Sequence, residues 1–137
     1  MQDRPTATEL LAAVRAFLLD EVAPALTEPG PRFRTLIAAN VLGIVERELA
    51  DEESRLVAEW EQLVSLDPAG SPGVPPESLA ALRAEIVARS RALCARIRAG
   101  EADAGPARVA AWAFARWSVE AKLRVANPRY LARLRGE

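Results

Sequence analysis

The sequence predicts an all-α protein, built as an antiparallel helical bundle of five main helices with a short C-terminal helix. Alanine, leucine, arginine and glutamate, all strong helix formers, make up more than half of the 137 residues. Apolar residues recur at three- and four-residue spacing in five segments, and none of these alternates with the two-residue period of a strand. A chain of this length is predicted to fold as a single domain, residues 1–137, with its own core.

The net charge of −1 and the single cysteine exclude several classes of protein. Without excess positive charge, the chain is not expected to bind nucleic acid, and Cys94 alone cannot form an internal disulfide. The N-terminus lacks the pattern of a signal peptide, and no apolar run approaches the ~18 residues that cross a membrane. The sequence therefore predicts a cytoplasmic protein with no membrane partner.

Charge is divided unevenly along the chain. Residues 1–67 hold 13 acids and 6 bases, whereas residues 68–137 hold 12 bases and 6 acids. Two interpretations follow from this division. Either the two halves pack together with complementary charges, or the basic half meets an anion such as a phosphate, a coenzyme A tail or an acidic partner.

Capping residues, glycines and prolines set the expected helix ends. Thr6 and Glu9 form a capping box for the first helix, and Gly100 suits the end of the fourth. Pro128 pushes the preceding residue out of the helical region, which ends the fifth helix. The proline- and glycine-rich stretch 66–76 is typical of a surface connection. We expect helices, in order, from residue 7 to an end or kink at Pro24, over 31–50, 51–65 and 77–99, from 106 to 126 or 127, and over 129–135.

The second helix carries a polar residue within its apolar face. The apolar residues of this face are Phe33, Leu36, Ile37, Val41 and Ile44. Asn40 falls in the middle of them, so it is predicted to be buried and to meet a polar partner on the fifth helix, namely Arg116, Glu120 or Asn127. One interpretation is a structural hydrogen bond that fixes helix register, and the other is the wall of a polar pocket.

The fifth helix presents a line of polar residues, Arg116, Glu120 and Arg124, between two apolar strips. A helix that is apolar on both sides is predicted to be wedged between neighbouring helices. The strips comprise Val109, Trp112, Val119 and Leu123, and Phe114, Trp117, Ala121 and Val125. The polar line is either an i,i+4 ladder of ion pairs or, with Arg47, a set of forked donors for a phosphate or carboxylate. The candidate ligand-binding cluster comprises Asn40, Arg47, Glu48, Arg116, Glu120, Arg124 and Asn127.

The residues that most familiar catalytic mechanisms need are missing. The chain has no histidine, so neither a Ser-His-Asp nor a Cys-His site can form. One cysteine cannot assemble a zinc site, and Cys94 is expected to be a small buried side chain. Glu48 and Glu120 could pair only if the second and fifth helices were adjacent, and the surrounding arginines suit neither carboxylate to proton transfer. The sequence favours a non-catalytic protein without a cofactor or metal.

Three stretches of the chain resemble a family of short bacterial proteins of unknown function. They are the opening DRPTATELLAAVRAFL, the segment AANVLGIVERELA and above all KLRVANPRYL. The family's signature corresponds here to Asn40, Arg47, Glu48, Lys122, Asn127, Pro128, Arg129 and Tyr130. Its members are often encoded beside aminoglycoside-phosphotransferase-like kinases and acyl-CoA dehydrogenases. The resemblance therefore implies a role near acyl-CoA or small-molecule phosphate metabolism, and it assigns no activity.

The sequence leaves three hypotheses about function. The first is a non-catalytic accessory or interaction module for a partner enzyme, either the phosphotransferase-like kinase or the acyl-CoA dehydrogenase. The alternative is a small-molecule binder that holds an anionic ligand, such as a phosphate, a carboxylate or an acyl-CoA, through arginines. The third is a homodimer, because the apolar surface of the fifth helix, together with Trp60, exceeds what one bundle of this size buries.

Overall fold

The computed structural model describes residues 4–67 and 73–136, and within these ranges all regular structure is helical. The six main helices are α1 (Ala7–Phe17), α2 (Pro29–Ala50), α3 (Glu52–Ser65), α4 (Leu79–Arg98), α5 (Gly105–Ala126) and α6 (Pro128–Arg135). The predicted all-α class is confirmed. The chain divides into two compact units, one of residues up to 51 with 125–127, the other of residues 52–124 and those from 128 onwards. A single domain and an antiparallel bundle stay predictions.

The N-terminus of α1 is capped as its sequence predicts. The Glu9 backbone N–H donates to the Thr6 hydroxyl at 3.2 Å, and the Thr6 N–H donates to the Glu9 carboxylate at 2.7 Å. Beyond α1 the chain continues as a π-helical turn, Leu18–Val22, and a short helical segment, Ala23–Ala25. Pro24 has no N–H to donate, so the regular helical hydrogen-bond pattern cannot continue unchanged through it.

The ends of α2 and α4 differ slightly from the predicted ones. α2 begins at Pro29, two residues before the expected Pro31, because a proline at the first helical position gives up an N–H that has no partner there. α4 begins after Ser78, whose hydroxyl accepts the Ala81 N–H at 3.2 Å. It ends just before Gly100, whose φ of 88° is the left-handed conformation expected of a glycine at a helix end.

The first unit is organised by the contact of α1 with α2. The buried residues of α2 are Ala39 and Gly43, one turn apart. A Cβ atom added at Gly43 would lie 3.4 Å from the Arg15 side chain of α1, so the glycine permits a close approach of the two helices. Arg15 Nε also donates to the Glu46 carboxylate at 2.8 Å. This hydrogen bond and the negative charge of Glu46 raise the pKa of Arg15 above its ordinary value.

The core of the second unit lies between α3 and α4. Trp60 and Leu63 of α3 meet Leu82 and Ile86 of α4, and each of the four is at most 6% exposed. The half-buried residues packed around them are Leu56, Val57, Val64, Leu93 and Phe114. Trp60, which the homodimer hypothesis counted as excess apolar surface, is therefore buried in this core. Cys94, which was expected to be buried, is exposed, because it lies beside rather than within the packed stripe of α4.

Only one of the two apolar strips on α5 is packed. Phe114 reaches the core of the second unit, and its ring stacks on Trp117 with ring centroids 6.0 Å apart. In the other strip, Val109, Trp112 and Val119 are 71%, 68% and 57% exposed, and Leu123 is half-buried. The prediction of a helix wedged on both sides is therefore wrong for most of this second strip, which the described residues leave exposed.

Candidate functional site

The seven candidate ligand-binding residues fall into both compact units. Those of the first unit are Asn40, Arg47, Glu48 and Asn127, and those of the second are Arg116, Glu120 and Arg124. Arg47 of the first set meets a partner inside its own unit, and so do Glu120 and Arg124 of the second. These contacts are structural.

Asn40 is exposed, so the prediction that it is buried within the apolar face of α2 is wrong. The helix packs through its small residues, Ala39 and Gly43, and Asn40 lies to one side of them. The large apolar residues on either side of Asn40 are also exposed, with Ile37 at 48% and Val41 at 50%. Periodicity identified an apolar stripe on α2, but this stripe is not the face that packs against α1.

Arg47 connects α2 to the end of α5. Its Nε donates to the backbone carbonyl oxygen of Val125 at 2.7 Å, in a partly buried position. The last carbonyl groups of a helix have no intrahelical donor, and Pro128 brings no N–H of its own to this end. The guanidinium therefore supplies a missing donor, and Arg47 is a helix-capping residue in this structure. This contact joins two of the three stretches that carry the family resemblance.

Glu120 holds α6 against α5 within the second unit. Its carboxylate accepts a hydrogen bond from Arg135 at 2.6 Å and lies 3.9 Å from Arg124, one turn along α5. The Glu120–Arg124 part of the predicted ladder is therefore present, and Arg116 is exposed. Sequence reasoning missed Arg135, because the contact depends on how the chain turns at Pro128 rather than on spacing along one helix.

A second polar cluster, which the sequence did not reveal, borders the core of the second unit. Arg89 donates to the Glu85 carboxylate from Nε at 2.8 Å and Nη2 at 2.7 Å, and its Nη1 lies 3.4 Å from the Asp67 carboxylate. The Arg89 guanidinium also lies over the ring of Trp60, 5.9 Å from the centroid. The i,i+4 spacing of Glu85 and Arg89 was the one signal for this cluster in the sequence.

The indole N–H of Trp60 is buried, and among the described residues it has no hydrogen-bond partner of good geometry. It nevertheless lies near Glu85. The indole N–H first, and then the Arg89 guanidinium, hold the pKa of the Glu85 carboxyl below its ordinary value of 4.5. The contacts of Glu85 that have hydrogen-bond geometry are those from Arg89 Nε at 2.8 Å and Nη2 at 2.7 Å. The cluster fastens α4 beside Trp60.

The described residues of the second unit line two cavities. One, of about 280 Å³, lies between α4 and the start of α5, where alanines and Ile97 form its wall and Arg96 lies at its edge. Arg96 is already engaged there, donating to Glu101 at 2.7 Å and to the Leu66 carbonyl at 2.8 Å. The other, of about 360 Å³, lies along α4 and is lined by Glu59, Ile86, Val87, Ser90, Arg91, Cys94 and Arg98.

Within residues 4–67 and 73–136, no three histidine, cysteine, aspartate or glutamate side chains come together in a way that could hold a metal ion. In the same ranges, no helix combines the length and the apolar character that crossing a membrane requires. The fold defines an all-helical protein, in which Arg47, Glu120 and Arg124 of the candidate cluster make structural contacts.

The chain belongs to the DUF6285 family, a domain of unknown function whose model matches residues 24–130. The match includes α2 to α5 and the Asn-Pro turn, so two of the three resembling stretches lie within it, the KLRVANPRYL stretch to within one residue of its end. No curated protein and no solved structure matches the chain.

Proposed function

We propose that this chain is a non-catalytic helical accessory module that binds a partner enzyme through the exposed strip of α5. The observation that carries the proposal is Trp112, which is 68% exposed between Val109 and Val119. A large apolar residue left uncovered within a strip of others marks an interaction surface. Tryptophan is also among the residues most enriched at the energetic centres of protein interfaces.

The strip has the spacing of a helix that docks in a groove. Val109, Trp112, Arg116 and Val119 follow one another at three, four and three residues, so they lie on one face of α5. Arg116 and the neighbouring Arg108 are both exposed. The partner surface that fits this face is an apolar groove with an acidic rim, because opposite charges at an interface rim favour association.

The partner that we propose is the phosphotransferase-like kinase whose gene the resemblance places nearby, with the acyl-CoA dehydrogenase as the other candidate. A bacterial, cytoplasmic protein folded as an antiparallel bundle belongs to the same proposal. In such a complex the chain supplies a rigid helix face, and the enzyme supplies the chemistry. The attraction between Arg116 and the acidic rim of the partner's groove would set the orientation of the helix in that groove.

Co-expression of the chain with the kinase, followed by sizing chromatography with and without nucleotide, tests the proposal. We expect the two proteins to co-elute at micromolar concentration, and Val119→Asp to separate them. The matched control is Val87→Asp, since Val87 is also a helical valine of the second unit and is 47% exposed, against 57% for Val119. Separate elution of the wild-type protein from both candidate enzymes would contradict the proposal.

A second function, the binding of a small anion, is favoured by one observation. Arg91, Arg98 and Ser90 line the cavity of about 360 Å³ along α4, in a volume that suits a small ligand. Guanidinium groups present paired donors to phosphates and carboxylates. Here the anion site uses arginines of α4, whereas Arg47 of the original candidate cluster donates to Val125.

Thermal-shift measurements with acyl-CoAs, nucleotides and sugar phosphates test the anion proposal. We expect one of these classes to raise Tm and Arg91→Met to abolish the increase. The control, Arg108→Met, replaces an exposed arginine of α5 and should preserve the increase. A flat response across all three classes would remove the anion proposal and leave the partner-enzyme proposal standing.

A further inference from the structure

The face of α2 opposite its packing face is apolar and exposed. α2 meets α1 through Ala39 and Gly43. At ~100° per residue, Val41 points about 200° away from Ala39, which places it on the far side of the helix. Val41 is 50% exposed, and Ile37 and Val45, one turn before and after it, are 48% and 37% exposed. The first unit therefore carries an apolar face of its own.

This face, centred on Val41, has an ordered arrangement. Residues three and four positions from Val41 surround it on the helix surface, and they are Ile37, Ala38, Ile44 and Val45. Seven residues before Val41 lies Arg34, and seven residues after it lies Glu48, so both are on the same side of the helix as Val41. Arg34 and Glu48 are exposed. The face thus has an apolar centre with a positive end and a negative end.

We infer that the Val41 face of α2 binds the same face of a second copy of this chain, with the two α2 helices antiparallel and Val41 on the twofold axis. A twofold contact requires a surface that is complementary to itself. In the antiparallel arrangement, residues whose numbers add up to 82 meet across the interface. Arg34 then faces Glu48 of the second copy, and Ile37 faces Val45 of the second copy.

The charges select a second copy and an antiparallel orientation. An antiparallel pair brings two Arg34–Glu48 contacts of opposite sign together, one at each end of the apolar centre. A parallel pair would instead bring like charges together, Arg34 against Arg34 and Glu48 against Glu48, which opposes association. A positive end and a negative end equally distant from one apolar centre are what self-recognition by an antiparallel helix pair requires.

The exposed area on this face is large enough for a dimer. Phe33 and Leu49 flank the centre and are 65% and 43% exposed. Each half-exposed apolar side chain presents roughly 80 Å², so Phe33 and Leu49, together with Ile37, Val41 and Val45, present about 400 Å². The apolar stems of Arg34 and Glu48 bring the area to about 500 Å². Two copies would bury about 1,000 Å², the size at which specific interfaces begin.

The inference is independent of the partner-enzyme proposal, since the Val41 face belongs to the first unit and the α5 strip to the second. Sedimentation equilibrium of the whole chain, at concentrations up to ~100 μM, tests it directly. We expect a wild-type species of twice the 14.8 kDa chain mass. Val41→Asp should weaken the dimer about 100-fold or more, because the two introduced carboxylates, one from each copy, would face and repel each other across the twofold axis.

The matched control for this substitution is Val14→Asp. Val14 is also a helical valine of the first unit and is also 50% exposed, but it lies on α1. We expect Val14→Asp to dimerise like the wild type, and far-UV circular dichroism should show the same helix content for both variants. A wild-type chain that stays at 14.8 kDa overturns the inference. Equal dimerisation of the two variants would also overturn it.

Charge reversal tests the antiparallel orientation. Arg34→Glu alone and Glu48→Arg alone should each weaken the dimer about fivefold, because each puts like charges at both ends of the contact. The double reversal should restore dimerisation, since opposite charges again face each other. If the double variant is no better than the single ones while the wild type dimerises, the antiparallel pairing of Arg34 with Glu48 is refuted.

Discussion

Replacing Arg47 by methionine separates a capping role from a ligand-binding role. Arg47 Nε donates to the Val125 carbonyl at 2.7 Å, across 78 residues of sequence. Methionine retains an unbranched apolar stem of similar length and has nearly the same helix propensity as arginine. The substitution therefore removes the guanidinium and its hydrogen bonds while it leaves the packing of α2 largely unchanged.

The expected loss follows from the kind of hydrogen bond. A hydrogen bond to a charged donor contributes about 1.5–3 kcal/mol, and the partial exposure of Arg47 puts this one near the lower end. A loss of about 1.5 kcal/mol in a unit of this size corresponds to a Tm decrease of roughly 6–12 °C. The carbonyl at the end of α5 would then depend on water for its donor.

Far-UV circular dichroism during thermal unfolding is the appropriate assay, because it reports helices of both units. The three tryptophans all lie in the second unit, so a fluorescence transition alone would miss a change in the first. The control is Arg32→Met, on the exposed part of α2. If Arg47→Met and Arg32→Met unfold within ~0.5 kcal/mol of each other, Arg47 does not cap α5 and the capping account is refuted.

Three further changes have clear expected outcomes. Gly43→Ala should raise stability by about 0.5–1 kcal/mol through helix propensity, since its Cβ would meet the flexible side chains of Arg15 and Arg47, each at 3.4 Å; urea unfolding measures this, and a loss above ~1 kcal/mol would contradict it. Because the pKa of Glu85 is lowered in the folded state, its contribution to stability is present above pH 4.5 and lost as pH falls below it. Glu85→Gln should therefore lower Tm at pH 7 but lose less stability than wild type on acidification, and parallel pH profiles would refute this. Glu120→Gln should cost ~1 kcal/mol or less in urea unfolding, because its arginine partners are largely exposed; a loss above 2 kcal/mol would show a stronger role.

The helix ends were largely predictable because their signals are local. The hydroxyl of Thr6 three residues before Glu9, and Pro128 after Asn127, act on their own neighbours whatever the rest of the chain does. The start of α2 was expected at Pro31 and lies at Pro29, because the two prolines are close together and either can occupy the first helical turn. The apolar face of α3 was also predictable, since its large side chains and its packing face coincide.

The packing face of α2 was not predictable from the pattern of large apolar residues. It is formed by Ala39 and Gly43, whose small size allows close approach but gives a weak signal of periodicity. Placing Asn40 in the interior followed from the assumption that the large apolar stripe turns inward. Similarly, Arg47 was identified as important, but its acceptor is a backbone carbonyl, which no side-chain pattern marks. Long-range contacts of this kind depend on tertiary structure alone.

The affinity of the chain for its partner enzyme, measured by titration calorimetry with Trp112→Ala beside the wild type, tests the central claim most directly. If Trp112, which is 68% exposed, is the centre of the interface, its truncation should weaken binding at least ~30-fold, the loss of a hot-spot residue. Val87→Ala, outside the strip, should bind like the wild type. Equal affinities for the wild type and Trp112→Ala, or no binding heat with either candidate enzyme, would contradict the account.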